Sequence, residues 1–193
     1  EMLTRDWSSD VCSSDLGKTM LARAMCSLLP AMNKSEIIDV TKLHSLGDKK
    51  ATNEVINLRP FRSPHHTASR ASIVGGGTKL QPGEISLAHH GVLFLDEILE
   101  YPRSVLEALR QPLEDHVVTI SRVNGKFEFP ANFILAATMN PCPCGFLGDT
   151  EKQCTCSQSQ IINYQKKLSG PLLDRIDITV NVSRVPHDEL MSS

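Results

Sequence analysis

At 193 residues and a net charge of −2, the chain has the length of one ordinary domain with a buried core, and it lacks the global positive field that would hold a nucleic acid without local basic patches. A composition of 40% hydrophobic and 22% charged residues excludes a disordered chain. No apolar run approaches a membrane span and no basic-then-apolar signal opens the chain, so a cytoplasmic protein without membrane contact is the expectation, in which six cysteines suggest metal or free thiols rather than disulfides.

Residues 1–16, EMLTRDWSSDVCSSDL, are rich in Ser and Asp, repeat Ser-Ser-Asp, and offer no strand. Thr19–Leu29 predicts an apolar helix ended by Pro30, and Glu36–Thr41 predicts a short strand. Residues 59–90 read as loop, carrying RPFRSPHHT, Gly75-Gly76-Gly77 and Gln81-Pro82-Gly83. Val92–Leu95 is a short, wholly apolar run, as in a strand buried on both faces, and it ends in Asp96-Glu97. A helix is expected over Ser104–Asp115, then a hairpin over Val117–Phe129 turning at Asn124-Gly125. Phe133–Thr138 predicts a second buried strand ending at Met139-Asn140; Gln158–Leu168 predicts a helix, and Ile176–Val182 alternates like a last strand. Strands alternating with helices imply an α/β fold with a parallel sheet covered on both sides.

Gly17-Lys18-Thr19 is the back half of a phosphate-binding loop. A Gly-Lys-Thr step opening a helix sets main-chain N–H groups and an ammonium against phosphate, with the hydroxyl on Mg²⁺. An ordinary helix start with an exposed lysine is the bland alternative. Asp96 and Glu97 leave a buried strand at its carboxyl end, where ligands bind in open α/β sheets. There Asp96 serves the Mg²⁺ shell and Glu97 orients the attacking water; a solvated acidic turn is the alternative. Asn140, closing the next strand, suits holding water or the γ-phosphate beside Glu97, or else caps the turn before Pro141. Arg175 reads as a finger toward a neighbouring subunit's nucleotide or as a salt bridge to Asp174 or Asp177.

Cys142, Cys144, Cys154 and Cys156 form two C-x-C pairs separated by nine residues. Two thiolate pairs closing a short loop fit a tetrahedral, structural zinc site; four uncoordinated thiols are the alternative. His65-His66 and His89-His90 are adjacent pairs, and neighbouring side chains on a strand point to opposite faces, so neither is expected to clamp a metal. Arg59, Arg62, Arg70, Lys79, Arg122 and Lys126 either meet a phosphate backbone or form a solvated surface.

Taken together, RPFRSPHHT, VGGG, PGEISLAHHGVLFLDE, LRQPLEDHVVTISR, AATMNPCPCG and LSGPLLDRID strongly resemble the magnesium-chelatase-like AAA+ ATPases of the YifB/ComM type over about residues 17–186. The resemblance implies a three-layer P-loop NTPase core using ATP and Mg²⁺, assembled as a homo-oligomeric ring (a hexamer) with nucleotide at subunit interfaces. By position it makes Gly17, Lys18 and Thr19 part of the Walker A loop, with Thr19 and Asp96 serving Mg²⁺. Asp96 and Glu97 become Walker B, Asn140 sensor 1, and Arg175 an arginine finger. It also implies a helix-2-type insert at 59–90, a pre-sensor-1 hairpin at 117–132, a cysteine loop at 142–156, and DNA as partner in branch migration.

The pattern is broken at both ends. The family's loop has glycines where this chain has Cys12 and Asp15, and an apolar strand should precede it. An acidic side chain there opposes a triphosphate, and lost glycines restrict close backbone approach. Residues 1–16 are therefore expected to be non-native to the gene, with the sheet's first strand missing or replaced. Residues 187–193 are expected to begin a linker to a helical lid that the chain does not include. Two other functions stay open: the ATPase subunit of a metal chelatase, and a nucleotide-dead fragment.

Overall fold

The computed structural model describes residues 15–47, 54–123, 125–148 and 152–180, with residues 15–18 as main chain only. The reading of residues 1–16 as a foreign leader, the Cys12 position, the turn residue Asn124 and the reading of 187–193 lie outside the described residues or side chains.

Helix α1 (Asp15–Leu28) follows the expected apolar run and stops ahead of Pro30, which cannot continue the main-chain hydrogen-bond ladder. Helix α2 (Lys34–Gly47) replaces the expected strand at Glu36–Thr41. The β-branched residues of IIDV suggested a strand, but a reciprocal cap decides the segment. Asn33 Oδ1 accepts from the N–H groups of Ser35 and Glu36, at 2.9 and 3.0 Å, while Glu36 Oε2 accepts from Asn33 N–H at 2.8 Å. Val40 and Leu43, three residues apart, then bury one stripe of the helix.

A three-stranded parallel sheet is the framework. Strands β1 (Phe61–Arg62), β4 (Val92–Leu95) and β7 (Ile134–Ala137) run in the order β1-β4-β7, with Val92 opposite Ile134 and Leu95 opposite Ala137. The central strand β4 is buried on both faces, each of its four side chains worth about 1.5–3 kcal/mol if fully buried. Strand β7 was expected to be buried too, but Ile134 is 42% exposed, because among the described residues β7 pairs on one side only.

The segment 59–90 is more structured than its loop-like composition suggested. Strand β1 belongs to the central sheet. It is followed by α3 (Arg70–Val74, capped by Ser69), the two-residue strands β2 (Gly75–Gly76) and β3 (Gln81–Pro82), and α4 (Glu84–Leu87). A two-pronged ion pair from Arg62 to Glu84, at 2.5 and 2.7 Å, ties β1 to α4. The expected Ser104–Asp115 helix is two short helices, α5 (Arg103–Ala108) and α6 (Arg110–Asp115). Pro112 has no N–H for the Ala108 carbonyl, so the ladder breaks at Leu109.

Strands β5 (Val117–Arg122) and β6 (Gly125–Pro130) form the expected hairpin, with Val118 opposite Phe129 on the buried face. Helix α7 (Gln158–Gln165) starts on a capping box from Ser157 and Gln160, and α8 (Gly170–Leu173) carries Pro171 in its first turn. Ile73, Ile85, Leu93, Leu99, Leu106 and Leu172 join one core between these elements and the sheet. The strand expected at Ile176–Val182 is absent over its described part, residues 176–180. Ile178 and Val180 remain 79% and 73% exposed, their alternation having no strand partner among the described residues.

Candidate active site and four-cysteine centre

The site is built where β4 and β7 end side by side. Their register places Leu95 opposite Ala137, so the next residues of both strands meet at the carboxyl edge. Thr138 organises that edge. Its hydroxyl donates to Asp96 Oδ1 and accepts the Glu97 N–H at 3.0 Å, while its carbonyl accepts the Ile98 N–H at 2.9 Å. Sequence reasoning passed over Thr138, which belongs to no short motif; its place at the strand end, two residues before Asn140, was the only signal.

Asn140 Nδ2 donates to Glu97 Oε1 at 3.2 Å, so the amide and carboxylate read from the sequence do converge. Asp96, Glu97, Thr138 and Asn140 are all half-buried, partly screened from water yet open to a ligand. Glu97 holds φ 49° and ψ 54°, the left-handed region, at a cost of about 1–3 kcal/mol for a residue with a Cβ. Hydrogen bonds from both sides of the residue sustain that conformation, which aims the carboxylate along the strand edge toward Asn140. Burial, and secondarily the Asp96 charge, push the Tyr101 hydroxyl up to about 12, so it stays a donor, held by the Pro64 carbonyl at 2.5 Å. Tyr164, buried near Glu100 and Glu97, is likewise pushed up to about 12.

Gly17 and Lys18 lie in the first turn of α1 and Thr19 begins the second; the helix packs against β4, and Thr19 is half-buried. Main-chain N–H groups of a first turn have no partner within the helix, so this end suits an anion. The main-chain N–H groups at the helix start and the carboxylates of Asp96 and Glu97 are of the kinds that phosphate and Mg²⁺ need.

Arg175 pairs with neither Asp174 nor Asp177. Its guanidinium reaches Glu114 of α6 and the Pro171 carbonyl, and its Nε is buried without a partner. Its own subunit therefore holds Arg175 through an otherwise exposed carboxylate.

The four cysteines converge. Cys142 Sγ lies 3.4 Å from Cys144 Sγ and 3.7 Å from Cys154 Sγ, Cys144 and Cys154 are 3.6 Å apart, and all four sulfurs fall within 4.8 Å of one another. Thiolates at tetrahedral corners around zinc, each about 2.3 Å from the ion, stand about 3.8 Å apart. Main-chain N–H groups of Phe146 and Thr155 favour the Cys144 thiolate and pull it down to about 6. The Cys156 N–H does the same for Cys154, but burial and the adjoining sulfurs outweigh it and push that thiol up to about 12. Four sulfurs this close ionise together only around a cation.

The histidine pairs lie in the segment read as loop, and neither is on a strand. Their rings therefore sit side by side at a tilt instead of pointing apart, with centroids 4.1 Å apart for His65 and His66 and 3.8 Å for His89 and His90. A positive φ of 59° at His90 produces the second arrangement, and Asp39 lies close enough to complete a ligand trio. That trio is poorly suited to a metal. His89 Nδ1 accepts the Asn132 N–H at 3.0 Å, which leaves the proton of a neutral ring on Nε2, and Arg59 adds a positive charge at Glu36 and the His90 carbonyl. Burial, then the neighbouring His90, holds His89 down to about 4.

The basic residues divide. Arg59 and Arg62 are taken up by Glu36 and Glu84, whereas Arg122 and Lys126 stand exposed on the hairpin. Arg122 reaches the Thr78 carbonyl at 3.3 Å and Lys126 pairs with exposed Glu128.

The chain matches known proteins over most of its length. The family profile described as magnesium chelatase, subunit ChlI, matches residues 11–190, a span that includes six residues ahead of Gly17. The competence protein ComM of Haemophilus influenzae is 48% identical over 177 residues, covering 92% of this chain and 34% of that protein. The protein YifB of Escherichia coli is 44% identical over 170 residues, covering 88% of this chain and 33% of its own length. The chain thus spans about a third of the curated relatives it matches. Among solved structures, a cryo-EM-based model of the complex between magnesium chelatase subunits BchI and BchD matches 91% of this chain and 54% of that chain. Its TM-score is 0.53 at 19% identity, a likeness of fold.

Proposed function

Because the chain belongs to the magnesium chelatase ChlI family, on its ComM- and YifB-like side, we propose that it is the core of an ATP-hydrolysing DNA motor working as a homo-oligomeric ring in the cytoplasm. The observation that carries the ATPase reading is the joined edge of β4 and β7, where one threonine hydroxyl spans Asp96 and Glu97 and Asn140 donates to Glu97. Gly17, Lys18 and Thr19 would hold the phosphates, and Thr19 and Asp96 would hold Mg²⁺, which when bound offsets charge developing on the transferred phosphoryl group. Glu97 orients the attacking water, its own position fixed by Thr138 and Asn140. Arg175 is the residue offered to a neighbouring subunit's nucleotide, once released from Glu114. The BchI and BchD chains are described in a complex, which supports assembly in the family.

Support for DNA as the partner comes from the 48% identity to a competence protein and from the exposed Arg122 and Lys126 on a hairpin with a fully exposed Val123 at its tip. A structural zinc is proposed at Cys142, Cys144, Cys154 and Cys156, four thiolates leaving no open coordination position for catalysis.

The test is Glu97→Gln in the complete protein that contains this core. ATP binding is expected to persist while DNA-stimulated hydrolysis falls by at least about 100-fold, the scale of losing a positioned catalytic group. Undiminished hydrolysis in the variant removes Glu97 from the role, and activity that answers only to a chelatase partner replaces the DNA-motor reading.

A further inference from the structure

We propose that the ion held by the four cysteines positions Asn140 against Glu97, so that metal occupancy sets the order of the Asp96–Glu97 edge; this rests on reading the cysteine centre as a zinc site. Cys142 is fully buried and lies two residues beyond Asn140. Between them, the Pro141 carbonyl accepts from Gln165 Nε2 of α7 at 3.0 Å. Cys156 immediately precedes Ser157, the cap of that same helix. A four-thiolate ion would therefore fasten the chain leaving Asn140 to the start of α7.

The chain just beyond α7 returns to the same edge. Ile161, Tyr164 and Leu168 are buried, and Lys167 Nζ donates to the Leu99 carbonyl at 2.9 Å, two residues beyond Glu97. The neighbours of Asn140 and Glu97 are thus tied to one stretch of chain, Pro141 to Gln165 in α7 and Leu99 to Lys167 two residues past it, and the ion would add Cys142 to that tie. The loop between the cysteine pairs is described at residues 145–148 and 152–153. Gly145 and Gly148 take positive φ there, and Phe146 and Lys152 contact one another at its surface. With the sulfurs unlinked, the 3.2 Å bond from Asn140 to Glu97 depends on one glutamine contact and on the short β7 strand. Cys142 is on this account a positioning residue.

Two readouts on the 193-residue chain separate the zinc site from its consequence. First, Co²⁺ is titrated into the metal-free protein. One equivalent bound with the intense sulfur-to-metal charge-transfer and tetrahedral ligand-field bands is expected; binding of less than about half an equivalent, or an octahedral spectrum, overturns both the zinc site and the positioning role. Second, amide hydrogen exchange is compared with and without zinc. Zinc is expected to slow exchange at least tenfold at Glu97, Ile98 and Thr138, whose N–H groups bond across the β4–β7 edge, with no change at the β5–β6 hairpin amides. Tetrahedral metal binding with unchanged exchange at those three amides overturns the positioning role and leaves the zinc site standing. If the metal-free chain unfolds as a whole, zinc-loaded Cys156→Ser, a three-thiolate site, is compared with the zinc-loaded parent instead. Faster exchange at Ile98 with unchanged hairpin protection supports the proposal; hairpin and edge changing together, or neither changing, overturns it.

Discussion

A single hydroxyl decides the geometry of the carboxylate edge. Thr138 Oγ1 supplies a donor to Asp96 and an acceptor to Glu97 N–H, and the left-handed φ of Glu97 depends on that acceptor. Thr138→Val keeps the shape and removes both bonds, leaving a half-buried N–H without its partner. A loss of about 1–3 kcal/mol in urea unfolding is expected, with Thr138→Ser recovering most of it. His89 offers a second measurement at this scale. Its folded pKa near 4 lies below the ordinary value of 6.5, so the folded state refuses a proton that the unfolded chain accepts. The stability this contributes is complete above pH 6.5 and declines as pH falls toward 4, with a slope of at most about 1.4 kcal/mol per pH unit. Over that window His89→Gln should give a shallower decline in melting temperature than the parent chain, the carboxylates titrating alike in both.

Among the elements, those with a wholly local signature were legible in the sequence, and those fixed by partners were not. The VLFL run could only be a strand buried on both faces, and Asn124-Gly125 between alternating residues marked the hairpin. Glu36–Thr41 misled because its β-branched residues favour a strand, while the adjoining Asn33-x-x-Glu36 cap starts a helix, and Ile176–Val182 because alternation needs a neighbouring strand to become one. Asp96 and Glu97 at a strand end and the four paired cysteines stood out as candidates by type and spacing, and Asn140 by its place in the family resemblance. Thr138 and the Glu114 partner of Arg175 did not, since each acts across more than 40 residues of chain (42 and 61 positions). The pairing of β1 with β4 depends on Gly91 in a way that composition also hid. A Cβ there would stand 1.9 Å from the Pro60 carbonyl oxygen, the acceptor of the Val92 N–H. Because the obstacle is backbone rather than a movable side chain, Gly91→Ala should cost at least about 3 kcal/mol by urea unfolding, the upper end of ordinary overpacking. For the hairpin, replacing Arg122 and Lys126 by Ala should lower the slope of log affinity against log salt for duplex DNA by about 1.8, two phosphates' worth. An unchanged slope would move the DNA surface elsewhere.

For the molecule as a whole, the sheet carries its catalytic edge on β4 and β7 and leaves the outer side of β7 unpaired among the described residues. Parallel strands in α/β folds are ordinarily covered on both faces, and exposed Ile134 marks where this one is not. The same region of the fold receives α1, whose Met20 and Leu21 are 47% and 53% exposed despite an apolar sequence. Incomplete burial and a phosphate loop with Cys12 and Asp15 in place of glycines therefore have one common source if residues 1–16 are foreign to the protein. Replacing them by an apolar strand followed by a G-x-x-x-x-G loop joined to Lys18 then has two linked consequences. Burying Ile134 and its neighbours stabilises the core by about 1–2 kcal/mol, which at this chain length raises the melting temperature by roughly 2–8 °C. The glycines let the main chain approach the phosphates, and removing Asp15 removes a repulsive charge, so MgATP affinity should rise at least tenfold over the parent in a fluorescent-nucleotide titration. Tighter binding without a change in melting temperature would place the defect in the loop alone. A parent chain that already binds MgATP at micromolar concentration would show that Cys12 and Asp15 are compatible with the site and that the segment belongs to the protein.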